Sequence, residues 1–154
     1  MRNIITISAP SGSGKTTLCK ALQSARPDIE WSVSCTTREP RQNEINEIDY
    51  YFISNEVFMK HVADNAFAEW EDVHGQYYGT LKSNLDTAII QKGTVLLDLD
   101  VKGSMSIRSL YLEQSFSIFI LPPSIDHLRG RLRRRGTDSE LRIEKRLRRF
   151  EKEM

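Results

Sequence analysis

The sequence predicts an α/β fold: a parallel P-loop sheet with flanking helices, an inserted subdomain and a helical lid. Three observations carry this. Apolar, β-branched or leucine-rich runs at residues 3–9, 94–99 and 116–121 lack polar alternation, as strands buried on both faces do. Segments of helical period lie between such runs, which is the pattern of a parallel sheet with crossover helices. A Gly/Ser-rich turn ending in lysine follows the first run directly.

Taken in order, residues 3–9 (NIITISA) form the first strand, and residues 15–25 a helix with Leu18, Ala21 and Leu22 at helical spacing, closed by Pro27. Residues 31–35 read as a second strand and residues 36–49 as a polar loop. Ser54 is placed to cap a helix running to about residue 65, with Val57, Phe58, His61 and Val62 on one face. Residues 67–73 and 77–80 read as short strands around a turn at 74–76. Residues 82–92 form a helix that Gly93 ends as its C-cap. The strand at 94–99 carries Asp98 and Asp100 near its carboxyl end. A helix at 101–112 and a strand at 116–121 follow, the latter stopped by Pro122 and Pro123. Residues 124–154 are two basic helical stretches broken at Gly136, the second capped by Asp138 or Ser139. The chain thus reads as one domain: a core at about 1–31 and 85–124, an insertion at about 32–84, and a lid at about 125–154.

Composition excludes several classes. With 154 residues, 39% hydrophobic and 28% charged, the chain is neither disordered nor collagen-like, and it needs no disulfide staples. No apolar run reaches the ~20 residues of a membrane span. The start, MRNIITISAPSGSGK, lacks a signal-peptide cleavage region, and Cys19 and Cys35 have no CxxC spacing; both fit a reducing cytoplasm. The net charge of +1 hides an asymmetry. Residues 1–123 hold 11 basic and 15 acidic groups, net −4, and residues 124–154 hold 11 and 6, net +5. An arginine-dense tail on an acidic body points to a polyanion. No aromatic interleaving or recognition module accompanies it, so nucleic acid is not the expected partner.

The turn reads Ala9-Pro10-Ser11-Gly12-Ser13-Gly14-Lys15-Thr16-Thr17 between a strand and a helix, the proper context of a P-loop. Its glycines let backbone N–H groups face phosphate oxygens, and the helix N-terminus adds partial positive charge. Lys15 would reach the β- and γ-phosphates of a nucleoside triphosphate, and the Thr16 hydroxyl would ligate Mg²⁺. Ala9 stands where the first glycine is usual, so the turn there must accommodate a Cβ.

The insertion holds Ser34, Thr36-Thr37-Arg38-Glu39-Pro40-Arg41, Asp49-Tyr50-Tyr51-Phe52, Glu69-Trp70 and His74-Gly75-Gln76-Tyr77-Tyr78-Gly79-Thr80. Asp98-Leu99-Asp100-Val101-Lys102-Gly103 and Arg135-Gly136-Thr137-Asp138-Ser139 follow. In this order the set resembles guanylate kinase, the ATP:GMP phosphotransferase among P-loop nucleoside monophosphate kinases, over essentially the whole chain. The resemblance implies that Arg38, Arg41, Tyr50 and Tyr78 hold the GMP phosphate. It implies that Ser34, Glu69, Thr80 and Asp100 read guanine, with Asp98 near both nucleotides. Arg131, Arg135 and Arg146 match lid arginines that clamp the ATP phosphates. The family has glycines where Asn43 and Glu47 stand. Asn43 adopts a left-handed conformation more readily than Glu47. The family also continues past the lid helix into a closing strand and helix. With the chain ending at residues 150–154, the resemblance implies that part of the core and adenine site is absent; if this chain is the whole molecule, the expectation is lower stability and weak ATP use.

Residue chemistry agrees. A monophosphate dianion suits planar guanidinium forks, with tyrosine hydroxyls completing the shell. Guanine offers an N1–H and an exocyclic amine on one edge, both of which a carboxylate such as Glu69 accepts; adenine lacks that pair. The phosphate of GMP has a second pKa near 6 and is already nucleophilic at pH 7, so no general base is expected. Of Tyr50, Tyr51, Tyr77 and Tyr78, two are expected to be packing residues. His61, His74 and His127 have no metal spacing and read as structural. The remaining tail arginines read as a solvated helix face pairing with Glu140, Glu144 and Glu151. Two alternatives stay open: a non-catalytic guanylate-kinase-like interaction module, and a kinase for another small phosphorylated acceptor.

Overall fold

The structure, a computed structural model, describes residues 2–10, 13–73, 75–135 and 139–153, and only the backbone of Thr16, Arg135, Arg149, Lys152 and Glu153. In chain order the elements are β1 (Ile4–Ser8), α1 (Lys15–Ala25), β2 (Ile29–Trp31), β3 (Cys35–Thr36), β4 (Tyr51–Phe52), α2 (Asn55–Ala63) and β5 (Phe67–Val73). Then come β6 (Gln76–Leu81), α3 (Lys82–Ile90), β7 (Thr94–Asp98), α4 (Val101–Leu110), β8 (Ser115–Phe119), α5 (Ile125–Arg135) and α6 (Glu140–Glu153).

The core sheet is parallel throughout, in the order β2-β7-β1-β8. β1 is central, with Ile7 opposite both Asp98 of β7 and Ile118 of β8. Successive strand residues face opposite layers. Ile4, Val95 and Leu97 pack with Leu85 of α3 and Ile107 of α4, while Ile7 and Leu96 pack with Cys19 of α1. Each such fully buried aliphatic side chain contributes roughly 1.5–3 kcal/mol. This burial fixes the carboxyl ends of β1 and β7 side by side, where ligands of open parallel sheets bind.

The insertion forms a second sheet, β4-β3-β6-β5, around Phe58. Phe58 is fully buried and stacks on Phe67 and Tyr77, with ring centroids 4.5 and 5.4 Å apart. α5 and α6 pair through Leu128 and Leu132 against Ile143, Leu147 and Phe150, the i, i+4, i+7 stripe of a helical hairpin. Arg133 forks onto Glu140 and Arg129 reaches Glu144 on its outside, the solvated pairing read from the sequence. The residues between the helices, Gly136 and Asp138 included, lie outside the described residues; Ser139 Oγ accepts from Arg142 N–H at 3.4 Å. No helix among the described residues is long and apolar enough to cross a membrane.

Several expected elements are corrected. The single strand at 31–35 is two strands in different sheets: β2 ends with Ser32 N–H bonded to Leu96 O, and the chain then crosses to the insertion as β3. β4 lies where the sequence showed only a loop boundary, held by Tyr51 N–H to Ser34 O and Ile53 N–H to Thr36 O. The helices capped by Ser54 and Asp100 end at Ala63 and Leu110, two residues early. At the end of α3, Gly93 is not the residue that turns. Lys92 takes the left-handed conformation (φ 57°), with Lys92 N–H on Ile89 O and Gly93 N–H on Ala88 O. These two bonds form a Schellman motif, which places the left-handed residue one position earlier than a glycine count suggests.

Candidate active site

The cradle begins where β1 stops. Ser13 N–H closes a turn onto Pro10 O at 3.1 Å, and Gly14 precedes α1 at φ 90°, a conformation that favours glycine. Ala9 is not among the residues with positive φ, so its Cβ is accommodated. Ser11, Gly12 and the Thr16 side chain lie outside the described residues. Ser13, Gly14, Thr17, Leu18, Ala21 and Arg131 line a groove of about 450 Å³. Lys15, the first residue of α1, reaches over the carboxyl end of β7. Its Nζ lies 2.5 Å from Asp98 Oδ1 and donates to Leu99 O at 2.6 Å. From α5, Arg131 Nη1 donates to Ser13 O at 2.9 Å, so one of the three expected lid arginines already touches the cradle. Arg146 is half-buried on α6, and the Arg135 side chain lies outside the described residues.

In the insertion, polar and aromatic side chains gather around Arg38. Its Nη2 pairs with Glu44 Oε1 at 2.8 Å and its Nη1 donates to Glu39 O at 2.7 Å. Its Nε is buried and has no hydrogen-bond partner among the described residues. The guanidinium lies 5.6 Å from the Tyr50 ring centre and 5.8 Å from that of Phe52, within cation–π range. Tyr78 meets Tyr50 edge-on at 6.0 Å. Burial pushes the Tyr50 hydroxyl above its ordinary pKa, with Tyr78 adding to the rise, so it remains a donor at neutral pH. Tyr51 and Tyr77 pack against the Phe58 cluster instead, as the sequence reading expected of two of the four tyrosines. Arg41 keeps an exposed side chain, and its backbone N–H bonds Glu44 Oε2 at 2.8 Å.

The third group sits where β5 meets α4. A bulge between Phe67 and Glu69 brings Glu69, rather than Ala68, opposite Thr80 of β6. Thr80 is fully buried and its hydroxyl donates to Glu69 Oε1 at 2.6 Å. Burial raises the Glu69 pKa above the usual carboxylate value, and the nearby Asp100 charge adds to the rise against the lowering Thr80 bond. Asp100 caps α4, accepting from Gly103 N–H at 2.7 Å. Ser34 is half-buried at the crossing between the sheets.

The family model described as guanylate kinase matches residues 1–154. The chain belongs to the guanylate kinase family. It is 44% identical to the guanylate kinase of Porphyromonas gingivalis over 100% of this chain and 83% of that protein. It is 44% identical to that of Carboxydothermus hydrogenoformans over 94% of this chain and 70% of the relative. It is also similar to the crystal structure of guanylate kinase from Anaplasma phagocytophilum, with a TM-score of 0.70 and 35% identity over 84% of this chain. The chain spans 65% of that solved chain.

Within this guanylate kinase framework one residue, Glu44, escaped the sequence reading, and a second, Thr80, has a partner the sequence did not announce. Glu44 anchors Arg38 and closes the turn at Arg41. Its signal was the spacing of an acidic side chain three residues after a backbone donor, as in a capping box. Thr80, read as a guanine contact, commits its hydroxyl to Glu69 and so orients that carboxylate. The two positions where the family has glycines differ in backbone conformation. Glu47 adopts φ 69°, with its N–H on Tyr50 O at 2.9 Å, while Asn43 does not take positive φ. Both thiols are buried, and burial pushes Cys19, with Asp98 adding, and Cys35 each up to about 11. His61 packs edge-on against Phe67, His127 bonds Ser124, and His74 lies outside the described residues.

Proposed function

We propose that this member of the guanylate kinase family transfers the γ-phosphate of ATP to GMP, giving ADP and GDP, in the cytoplasm. The observation that carries this is Arg38. Its guanidinium is half-buried beside Tyr50, which Tyr78 meets edge-on, and its buried Nε has no partner among the described residues, which supports reading it as a donor for an anion. Glu69 supports the choice of base, because a buried carboxylate oriented by Thr80 accepts the paired donors of guanine and is left unpaired by adenine. Arg41, Ser34, Asp98 and Asp100 complete the proposed acceptor set.

In this reading ATP lies along the Ser13–Arg131 groove with its phosphates on the cradle. Lys15 and Arg131 stand where charge accumulates on the transferring group, and Arg135 and Arg146 join them as the proposed lid clamp. The acceptor phosphate attacks in line and needs no base, so the residues act by positioning, charge neutralisation and exclusion of water. Among the described residues no cluster of three or more His, Cys, Asp or Glu forms a metal cage. The cradle chemistry fits Mg²⁺ carried in with ATP, since that cation keeps water and phosphate ligands and takes one or two protein oxygens. The Thr16 hydroxyl is the proposed protein ligand; when bound, the ion would neutralise β- and γ-phosphate charge.

The test is coupled ADP release with ATP–Mg²⁺ and GMP, dGMP, AMP or UMP, against an acceptor-free blank. ADP release that depends on GMP and not on AMP or UMP is expected. Release without acceptor dependence would leave only an ATPase, and no release would leave a binding module.

A further inference from the structure

We infer that Gly103 is a specificity-determining position of the acceptor site: its missing side chain is what lets Glu69 stand in register to read guanine. The inference rests on the guanylate kinase reading above and assigns a role to a residue that touches no substrate.

Gly103 is the third residue of α4, and its N–H donates to the capping Asp100. Its φ is not positive, so the backbone there does not require glycine. Alanine is the better helix former at such a position, and the local preference of the helix is therefore set aside. What glycine accommodates is the convergence of two carboxylates. A Cβ at position 103 would lie 3.1 Å from Glu69 Oε2, 3.5 Å from Glu69 Cδ and 3.3 Å from Asp100 Oδ1. Glu69 has little room to yield. Its Oε1 is fixed by the Thr80 hydroxyl at 2.6 Å, and Thr80 is fully buried. A methyl group would displace Oε2 by a few tenths of an ångström while Oε1 stays tethered, tilting the carboxylate out of the plane that two parallel donors require. Local preferences are overridden in this way mainly at functional sites.

Inosine monophosphate separates this role from a structural one, because it keeps the N1–H of GMP and lacks the exocyclic amine. The experiment measures kcat/KM for GMP and for inosine monophosphate, together with KM for ATP and Tm, in the full chain, its Gly103→Ala variant and a Lys102→Ala control. Gly103→Ala is expected to melt at or above the parent temperature, to keep KM for ATP, and to lose roughly tenfold of the GMP-over-inosine ratio, the size of one charge-assisted hydrogen bond. Lys102→Ala should keep the ratio. In a Glu69→Gln background the Gly103→Ala effect on the ratio should vanish, as a double-mutant cycle reports for two residues acting as one unit. The inference is overturned by an unchanged ratio, by equal losses for both acceptors, or by a fall in Tm, each of which would make Gly103 a packing residue only. A parent chain without GMP-dependent ADP release would instead overturn the guanylate kinase reading itself.

Discussion

Lys15 and Asp98 form an ion pair at 2.5 Å across the carboxyl ends of two neighbouring parallel strands, with Leu99 O as the second acceptor of the same ammonium. The pair joins the two halves of the site, since Lys15 opens the helix of the phosphate cradle and Asp98 ends the strand that leads to Asp100. Lys15→Met should lower kcat by roughly 10²–10³, the usual loss for one preorganised charge-stabilising donor. GMP affinity, measured by titration calorimetry, should stay within about twofold. Near-parent turnover would remove Lys15 from phosphoryl transfer.

Glu69 should make GMP binding sensitive to acid earlier than an ordinary glutamate would. Burial holds its carboxyl protonated to higher pH, and reading guanine requires the ionised form. KM for GMP should therefore rise on acidification above the ordinary Glu range of about 4.3. Glu69→Gln should raise KM for GMP by about 10–100-fold and flatten this part of the profile. The GMP phosphate titrates identically in both proteins, so the difference between profiles isolates Glu69. The stability effect has the opposite sense. The native state holds this proton more tightly than the unfolded chain, so the contribution is present below the unfolded pKa and is lost as pH rises through the native one.

Arg131 closes onto the cradle backbone at Ser13 O. Arg131→Ala should cut kcat by about 10²–10³ while leaving the GMP dissociation constant within roughly twofold. A loss confined to GMP binding, read by calorimetry beside steady-state kinetics, would place Arg131 at the acceptor instead.

Glu47 occupies a left-handed conformation that costs a side-chain-bearing residue energy. Glu47→Gly should stabilise the chain by about 0.5–1 kcal/mol after the entropy of a freer unfolded chain is counted. That corresponds to ~1–4 °C in Tm for a domain of this size. Thermal unfolding followed by circular dichroism checks it; a lower Tm would show that the Glu47 side chain contributes more than its backbone costs.

What the sequence by itself determined is local. Hydrophobic period placed β1, α1, β5, α3 and β7 within a few residues, and Gly14 with Lys15 marked the cradle because turn and helix start are encoded in adjacent residues. Arg38, Tyr50, Tyr78 and Glu69 were legible as candidates through their order along the chain. Their geometry belongs to the tertiary structure. The run 31–35 divides between two sheets because Leu96 and Gly79 are different partners for its two ends. Glu69 faces Thr80 only because a bulge shifts the register by one residue, and no periodicity announces a bulge. Lys15 meets Asp98 across more than eighty residues of chain, and Gly103 meets Glu69 across more than thirty. Such contacts are decided by which strands and helices pack together, and the charged side chains that carry the chemistry are positioned by the apolar packing of those elements.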